Sequence, residues 1–379
     1  MTPSESDQAF AFVRSFLQAS YRVRCDARSI ESRARAIAVE QSVEMPLAAI
    51  EDAFVLSEIV GRVVAIEDIE NGVFEVRIAF STETIGEDAG QLINILFGNT
   101  SLHEDVVLHD VEFPRELVAA FGGPRHGLRE LRRRVGAGAR ALSCAALKPQ
   151  GLTPAKLADL ACRFVAGGID YIKDDHGLAD QGYSRFAARV EAIVAAMRTA
   201  SSPSNRRARY VPNLSGDLDR MRRQIAVAVD MGIDTFLMAP MITGLSNFHQ
   251  LVKESPRLAF IAHPTMAGAA RFAPSLLIGK LFRLLGADAV IFPNHGGRFG
   301  YSPETCRAIA RAARAEWNGL RPTVPVPAGG MSRDRVPEML EFYGADIMLL
   351  IGGALLAARE RLVEETAAFV AEIERYRHG

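Results

Sequence analysis

An apolar run ends abruptly in charge at Gly167-Gly168-Ile169-Asp170-Tyr171-Ile172-Lys173-Asp174-Asp175-His176. A lysine beside carboxylates at the mouth of a strand can meet a hard cation directly only if its own charge is removed or inverted. Strand end, lysine and oxygen ligands together point to a metal-dependent active site at the top of a β/α barrel. Other groups of the same kind follow apolar runs elsewhere: Lys148-Pro149-Gln150-Gly151, Asn213, His263, Asn294-His295-Gly296-Gly297-Arg298, Gly329-Gly330 and Gly352-Gly353. The competing reading of Asp175 and His176 is a cap on the following helix, that of His263 a core histidine, and that of the glycine pairs ordinary loops.

Eight short apolar runs position these groups: 141–147, 169–174, 209–213, 235–238, 258–263, 289–292, 323–327 and 347–351. Between them lie patterns of helical spacing such as 154–166, 216–231 and 274–285, two of which start with a proline suited to a first helical turn. Strand and helix alternating eight times is the count of a (β/α)8 barrel, whose chemistry sits at the C-terminal strand ends. The loops after the seventh and eighth strands commonly cradle phosphate in such barrels, so Gly329, Gly330, Gly352 and Gly353 are candidate phosphate-binding residues. A doubly wound sheet competes, but it seldom runs to eight uninterrupted units.

The earlier part of the chain reads differently. Phe74, Val76, Ile78 and Phe80 share one face of an alternating run, and a helical pattern covers 87–97. That suggests a small α+β domain with a one-sided antiparallel sheet over residues 1–125, then a barrel over 126–379, with Gly-Gly-Pro-Arg-His-Gly at 122–127 as linker.

Composition narrows the function classes. The 379 residues carry 44 basic and 45 acidic side chains, a net charge of −1, which gives no electrostatic footprint for nucleic acid or membrane. Arg132-Arg133-Arg134 and Arg206-Arg207 are too short to change that. Cys25, Cys144, Cys162 and Cys306 lack metal or disulfide spacing, and neither a signal peptide nor a membrane span is visible. A soluble, cytoplasmic enzyme is the expectation.

The residues at 167–176 closely resemble the metal-binding segment of the RuBisCO large chain, Gly-Gly-x-Asp-Phe-x-Lys-Asp-Asp-Glu. Lys148-Pro149 resembles its catalytic Lys-Pro-Lys, Gly98-Asn99 its N-terminal Gly-Asn, and Glu40 the glutamate lent to a neighbouring subunit. The resemblance implies a ferredoxin-like α+β domain before the barrel, and homodimers with shared sites, open to assembly into a higher oligomer. It implies Lys173 carbamylated by CO2 and holding Mg2+ with Asp175 and His176. Lys148, His263, Glu40 and Asn99 would be catalytic, and Asn213, His295 and Arg298 would bind substrate beside the phosphate glycines.

The departures from the family are as informative. His176 stands for a carboxylate, Gln150 for a lysine, and Pro264 for an arginine that grips a second phosphate. The sixth loop, 292–299, lacks the lysine-bearing sequence that closes over the carboxylation site, and the C-terminal part is shorter. The resemblance is therefore to a non-carboxylating RuBisCO-like protein that makes an enolate from a sugar phosphate. The Asp-His ending and Asn-His-Gly-Gly-Arg loop lean toward decarboxylation of 3-oxo-isoapionate 4-phosphate in apiose catabolism. Enolisation or isomerisation of a methylthio-sugar phosphate in methionine salvage is the alternative, as are transcarboxylation or hydrolysis of the apionate compound. A non-catalytic scaffold is opposed by the intact Lys173 and Asp175, and an enolase-superfamily barrel by the absence of acids at 213 and 238–240.

Overall fold

The computed structural model describes residues 15–202, 207–297 and 299–376, so Arg298 lies outside the described residues. The chain divides into two compact units, Met1–Ala120 and Phe121–Gly379.

In the first unit, strands β1 (Phe16–Arg24), β2 (Arg62–Glu70), β3 (Val73–Ser81) and β4 (Val106–Glu112) form an antiparallel sheet in the order β2-β3-β1-β4. Helices Ile30–Glu40 and Ala89–Phe97 follow β1 and β3, which is the ferredoxin-like βαββαβ arrangement. Phe74, Val76, Ile78 and Phe80 are all buried, as their alternation requires. Asn71 and Gly72, both with positive φ, make the tight β2–β3 turn.

The second unit is a closed parallel barrel. Its strands are β5 (Leu142–Leu147), β6 (Tyr171–Asp174), β7 (Arg209–Val211), β8 (Thr235–Met238), β9 (Ala259–Ala262), β10 (Ala289–Pro293), β11 (Val324–Ala328) and β12 (Met348–Ile351). They run β7-β6-β5-β12-β11-β10-β9-β8, and the seam closes just past β7, where the Leu237 N–H donates to the Pro212 carbonyl (2.9 Å). Each strand falls within a residue or two of an apolar run in the sequence. Leu131 and Val135 of helix Gly127–Val135 pack into the core made by Cys144, Tyr171, Val211, Leu237, Ile261 and Val326. The Tyr171 hydroxyl fixes that helix by donating to the Leu131 carbonyl (2.8 Å).

Segment 122–127, expected as the linker, starts just past the division between the units, and its His126 and Gly127 N–H groups donate to the buried Asp288 carboxylate (2.6 and 3.0 Å). One expectation needs correction. The 274–285 pattern is no plain α-helix: it winds as a π-helix over Ser275–Leu281 before a short α-turn. The arginine run at 132–134 is occupied internally. Arg132 bonds the Ala345 carbonyl and Asp346, Arg133 pairs with Glu130, and Arg134 bonds the Asp234 carbonyl and Thr235. Among the described residues, no helix is long and apolar enough to cross a membrane.

Candidate active site

The C-terminal ends of β5, β6 and β9 to β12 line a cavity of about 990 Å3. Lys148 follows β5, Lys173 belongs to β6, Asp175 and His176 follow it, and His263 follows β9; all five line the cavity. Lys148 Nζ lies 2.7 Å from Asp175 Oδ1, and His176 Nδ1 lies 3.2 Å from the same oxygen. Burial raises the Asp175 pKa, but hydrogen bonds from His176 and Lys148 and the charge of Lys173 outweigh it and hold the carboxyl well below the usual range. Lys173 is buried, and its ammonium donates to the Asp174 carbonyl (2.8 Å). Desolvation lowers its pKa, against the pull of Cys144 and Asp175, which favours the neutral amine.

His263 stacks on His176 with ring centroids 4.2 Å apart. The Thr265 N–H donates to His263 Nδ1 (3.2 Å), so the neutral ring carries its proton on Nε2. Burial, then the charge of Lys173, lowers the His263 pKa to about 2.

The two aspartates have separate jobs. Asp174 is fully buried and accepts from Arg189 Nε (3.1 Å), the Tyr210 hydroxyl (2.7 Å) and the Asn213 N–H (3.0 Å). It anchors the end of β6, leaving Asp175 for the cavity. Neither caps a helix, since the next one, Phe186–Thr199, starts ten residues beyond His176 with Arg185 before it. Asn213 does not line the cavity. Its side-chain amide holds the β6 loop by donating to the His176 and Leu178 carbonyls (3.1 and 2.8 Å).

The glycine loops after β11 and β12 form another part of the wall. Gly329 and Gly330 both have positive φ (82° and 67°), and a Cβ at Gly330 would lie 2.7 Å from Gly297 Cα, so only glycine suits that crossing. A Cβ on Gly352 or Gly353 would meet nothing within 4 Å, which leaves open space beside the backbone. His295 lies away from the cavity, with Nε2 3.2 Å from Glu338 Oε1 and its ring against Phe342. Glu40 and Asn99 belong to the first unit, where the Asn99 amide donates to the Glu40 and Glu44 carboxylates (2.9 Å each).

Sequence reasoning missed Arg189, Thr265 and Arg335. Arg189 sits on the apolar face of its helix with Phe186, Val190 and Ile193, and a charge on such a face signals a buried partner. Arg335 bonds the His295 and Gly330 carbonyls (3.1 and 3.2 Å), tying the β10 and β11 loops together; no local pattern marked it. The four cysteines are free, and burial raises every thiol, Cys144 to about 12, which suits packing better than chemistry.

Among the described residues, no cluster of three or more His, Cys, Asp and Glu side chains is arranged to hold a metal. A cation at this site would therefore need a ligand from outside that set. Lys173 fits the part, because a buried, neutral-leaning amine beside Asp175 and His176 is suited to conversion into a carbamate oxygen ligand.

Residues 127–359 match the family model of the ribulose bisphosphate carboxylase large chain, catalytic domain. The chain belongs to that family. Within it, the chain is 61% identical, over 94% of its own length and 96% of the relative's, to the 5-methylthioribulose-1-phosphate isomerase of Rhodospirillum rubrum. It is 32% identical, over 83% of its length and 81% of the relative's, to a 2,3-diketo-5-methylthiopentyl-1-phosphate enolase of Geobacillus kaustophilus. The crystal structure of a RuBisCO-like protein from Rhodopseudomonas palustris matches with a TM-score of 0.89 at 49% identity, covering 96% of this chain and 99% of that one. This is a RuBisCO-like enzyme.

Proposed function

We propose that this RuBisCO-like chain isomerises a methylthio-pentulose phosphate by moving a proton between carbons through an enediolate. The observation that carries this reading is the 61% identity, across nearly the full length, to a protein named as a 5-methylthioribulose-1-phosphate isomerase. The enolase relative acts on a related methylthio-pentyl phosphate by its name, which supports the same chemical class. Decarboxylation of 3-oxo-isoapionate 4-phosphate, the leading expectation from sequence, is accordingly displaced by its alternative. It rested on the Asp-His ending and the Asn-His-Gly-Gly-Arg loop, which do not separate the two reactions physically.

The chemistry needs a proton carrier, an oxyanion stabiliser and a phosphate anchor. Lys148 is the carrier: it would take a proton from the carbon beside the ketone and return it to the neighbouring carbon, with Asp175 2.7 Å away to hold its ammonium between the steps. The electron pair left by the C–H bond forms the C=C bond, and the ketone oxygen takes the negative charge; the hydroxyl proton on the deprotonated carbon then passes to that oxygen, and protonation of the former carbonyl carbon leaves the carbonyl one carbon along. The neutral His263 would donate from Nε2 to a substrate oxygen. With Lys173 carbamylated, Lys173, Asp175 and His176 would hold Mg2+, which supplies Lewis-acid stabilisation of the developing oxyanion. The backbone N–H groups of the β11 and β12 glycine loops would hold the phosphate. Glu40 and Asn99 would complete a neighbouring chain's site in a homodimer.

The test is a side-by-side assay of the purified protein with 5-methylthioribulose 1-phosphate, 3-oxo-isoapionate 4-phosphate and ribulose bisphosphate. Isomerisation of the first alone is expected. CO2 release from the second alone would restore the decarboxylase reading, and labelled CO2 fixed onto the third would overturn both.

A further inference from the structure

Met266, on the loop after β9, holds a left-handed backbone (φ 66°, ψ 2°) and leaves 53% of its surface exposed. Residues other than glycine and asparagine avoid that conformation, and methionine gains nothing from such exposure. Glycine would take the same φ without strain, and a polar side chain would suit the solvent. Folding therefore does not account for a methionine here. An outlier of this kind is reason to look at what the residue faces.

It faces the cavity. Phe299, 51% exposed, and Tyr301 line the same side from the loop after the adjacent β10. Among the described lining residues from His263 to Tyr301, none is a lysine, arginine or carboxylate. The strand order places β9 and β10 across the barrel from β5 and β6, where Lys148, Lys173 and Asp175 stand. The glycine loops of β11 and β12 lie between those two sides. A substrate with its phosphate on the glycines and its reacting carbons over the lysines would extend its other end toward Met266.

We infer that Met266 and Phe299 form a subsite for a small uncharged apolar substituent, a thioether or short alkyl group, remote from the phosphate, and that Met266 sets this preference. The flexible, polarizable thioether of Met266 and the Phe299 ring suit a sulfur-bearing partner. This rests on the proposed phosphate placement and sharpens the isomerase reading.

Calorimetry with unreactive pentitol 1-phosphates tests it without turnover. The three probes carry a methylthio group, a hydroxyl or a second phosphate at carbon 5. Wild-type protein should bind the methylthio probe at least about 10-fold more tightly than either other, the usual worth of filling an apolar pocket. Met266→Gly should melt no lower than wild type, because it relieves the left-handed strain, yet lose most of that preference. Met266→Ser, which keeps a side chain but removes the apolar surface, should lose it too. Equal binding of the three probes, tighter binding of the bisphosphate, or a preference untouched by both variants would overturn the subsite. Failure of all three to bind would remove it along with the phosphate placement. A methylthio preference without turnover of 5-methylthioribulose 1-phosphate would leave the subsite standing and refute the reaction.

Discussion

The imidazoles of His176 and His263 lie face to face, centroids 4.2 Å apart and planes 15° from parallel. Burial is the largest penalty on a charged His263, the charge of Lys173 comes next, and the facing His176 ring and Lys148 add to it. His263 is thereby kept neutral as a hydrogen-bond donor, while His176 is directed toward Asp175.

A pH dependence follows. The His263 pKa falls from 6.5 in the unfolded chain to about 2 in the folded one. Above pH 6.5 both states hold a neutral ring and the shift contributes nothing. As pH falls below that value the unfolded chain binds a proton that the folded chain refuses, so stability declines by up to about 1.4 kcal/mol per pH unit. His263→Gln should flatten the decline between pH 6.5 and 4 in denaturant titrations; an unchanged slope would contradict the burial argument.

Lys148→Met should slow turnover by about 10²–10⁴-fold, the range for removing a general acid–base group, with little change in melting temperature because this side chain is one-third exposed. Wild-type kcat in that variant would exclude Lys148 as the proton carrier.

The Asp174–Arg189 pair is the deepest ion pair at the site, with both side chains at zero exposure. Arg189→Met would leave a buried carboxylate without its main partner and should cost roughly 3–5 kcal/mol in chemical denaturation. The double variant Asp174→Asn, Arg189→Met should recover part of that loss. A single variant within about 1 kcal/mol of wild type would show that Tyr210 and Asn213 suffice to hold Asp174.

Two glycine substitutions separate fold from binding. Gly330→Ala meets the Gly297 backbone and a positive φ, so both Tm and KM should suffer. Gly353→Val meets open space, so Tm should hold while KM for a phosphorylated substrate rises by about 10-fold or more, the worth of a hydrogen bond to a charged group. An unchanged KM would place the phosphate elsewhere.

The proposed sharing of sites between chains predicts complementation. Homodimers of Lys148→Met and of Glu40→Ala, each poorly active alone, should regain activity when unfolded and refolded together, because mixed dimers would contain one intact site. Activity no greater than the sum of the two would exclude a site shared between chains through Glu40.

Much of this architecture is legible in the sequence. All eight barrel strands are short apolar runs, and the endings of β5, β6, β9, β11 and β12 that the sequence singled out meet at one cavity because a parallel barrel puts every C-terminal strand end on one face. What could not be read were side-chain directions. His295 and Asn213 sit at the expected strand ends, yet His295 turns to Glu338 and Asn213 spends its amide on the β6 loop. Asp174 and Asp175 are neighbours in sequence but face opposite ways, as successive residues at a strand end do. Met266 was invisible for another reason: its significance lies in a backbone conformation, which residue type alone does not reveal.

The central claim is that Lys148 moves a proton on and off a carbon of a methylthio-pentulose phosphate. Proton NMR of 5-methylthioribulose 1-phosphate with the Mg2+- and bicarbonate-treated enzyme in D2O measures it directly. Wild-type protein should convert the ketose and leave deuterium on the original carbonyl carbon of the product, whereas Lys148→Met and Lys173→Ala should do neither. Deuterium exchange at the wild-type rate in Lys148→Met, or no exchange and no conversion with wild-type enzyme, would contradict the account.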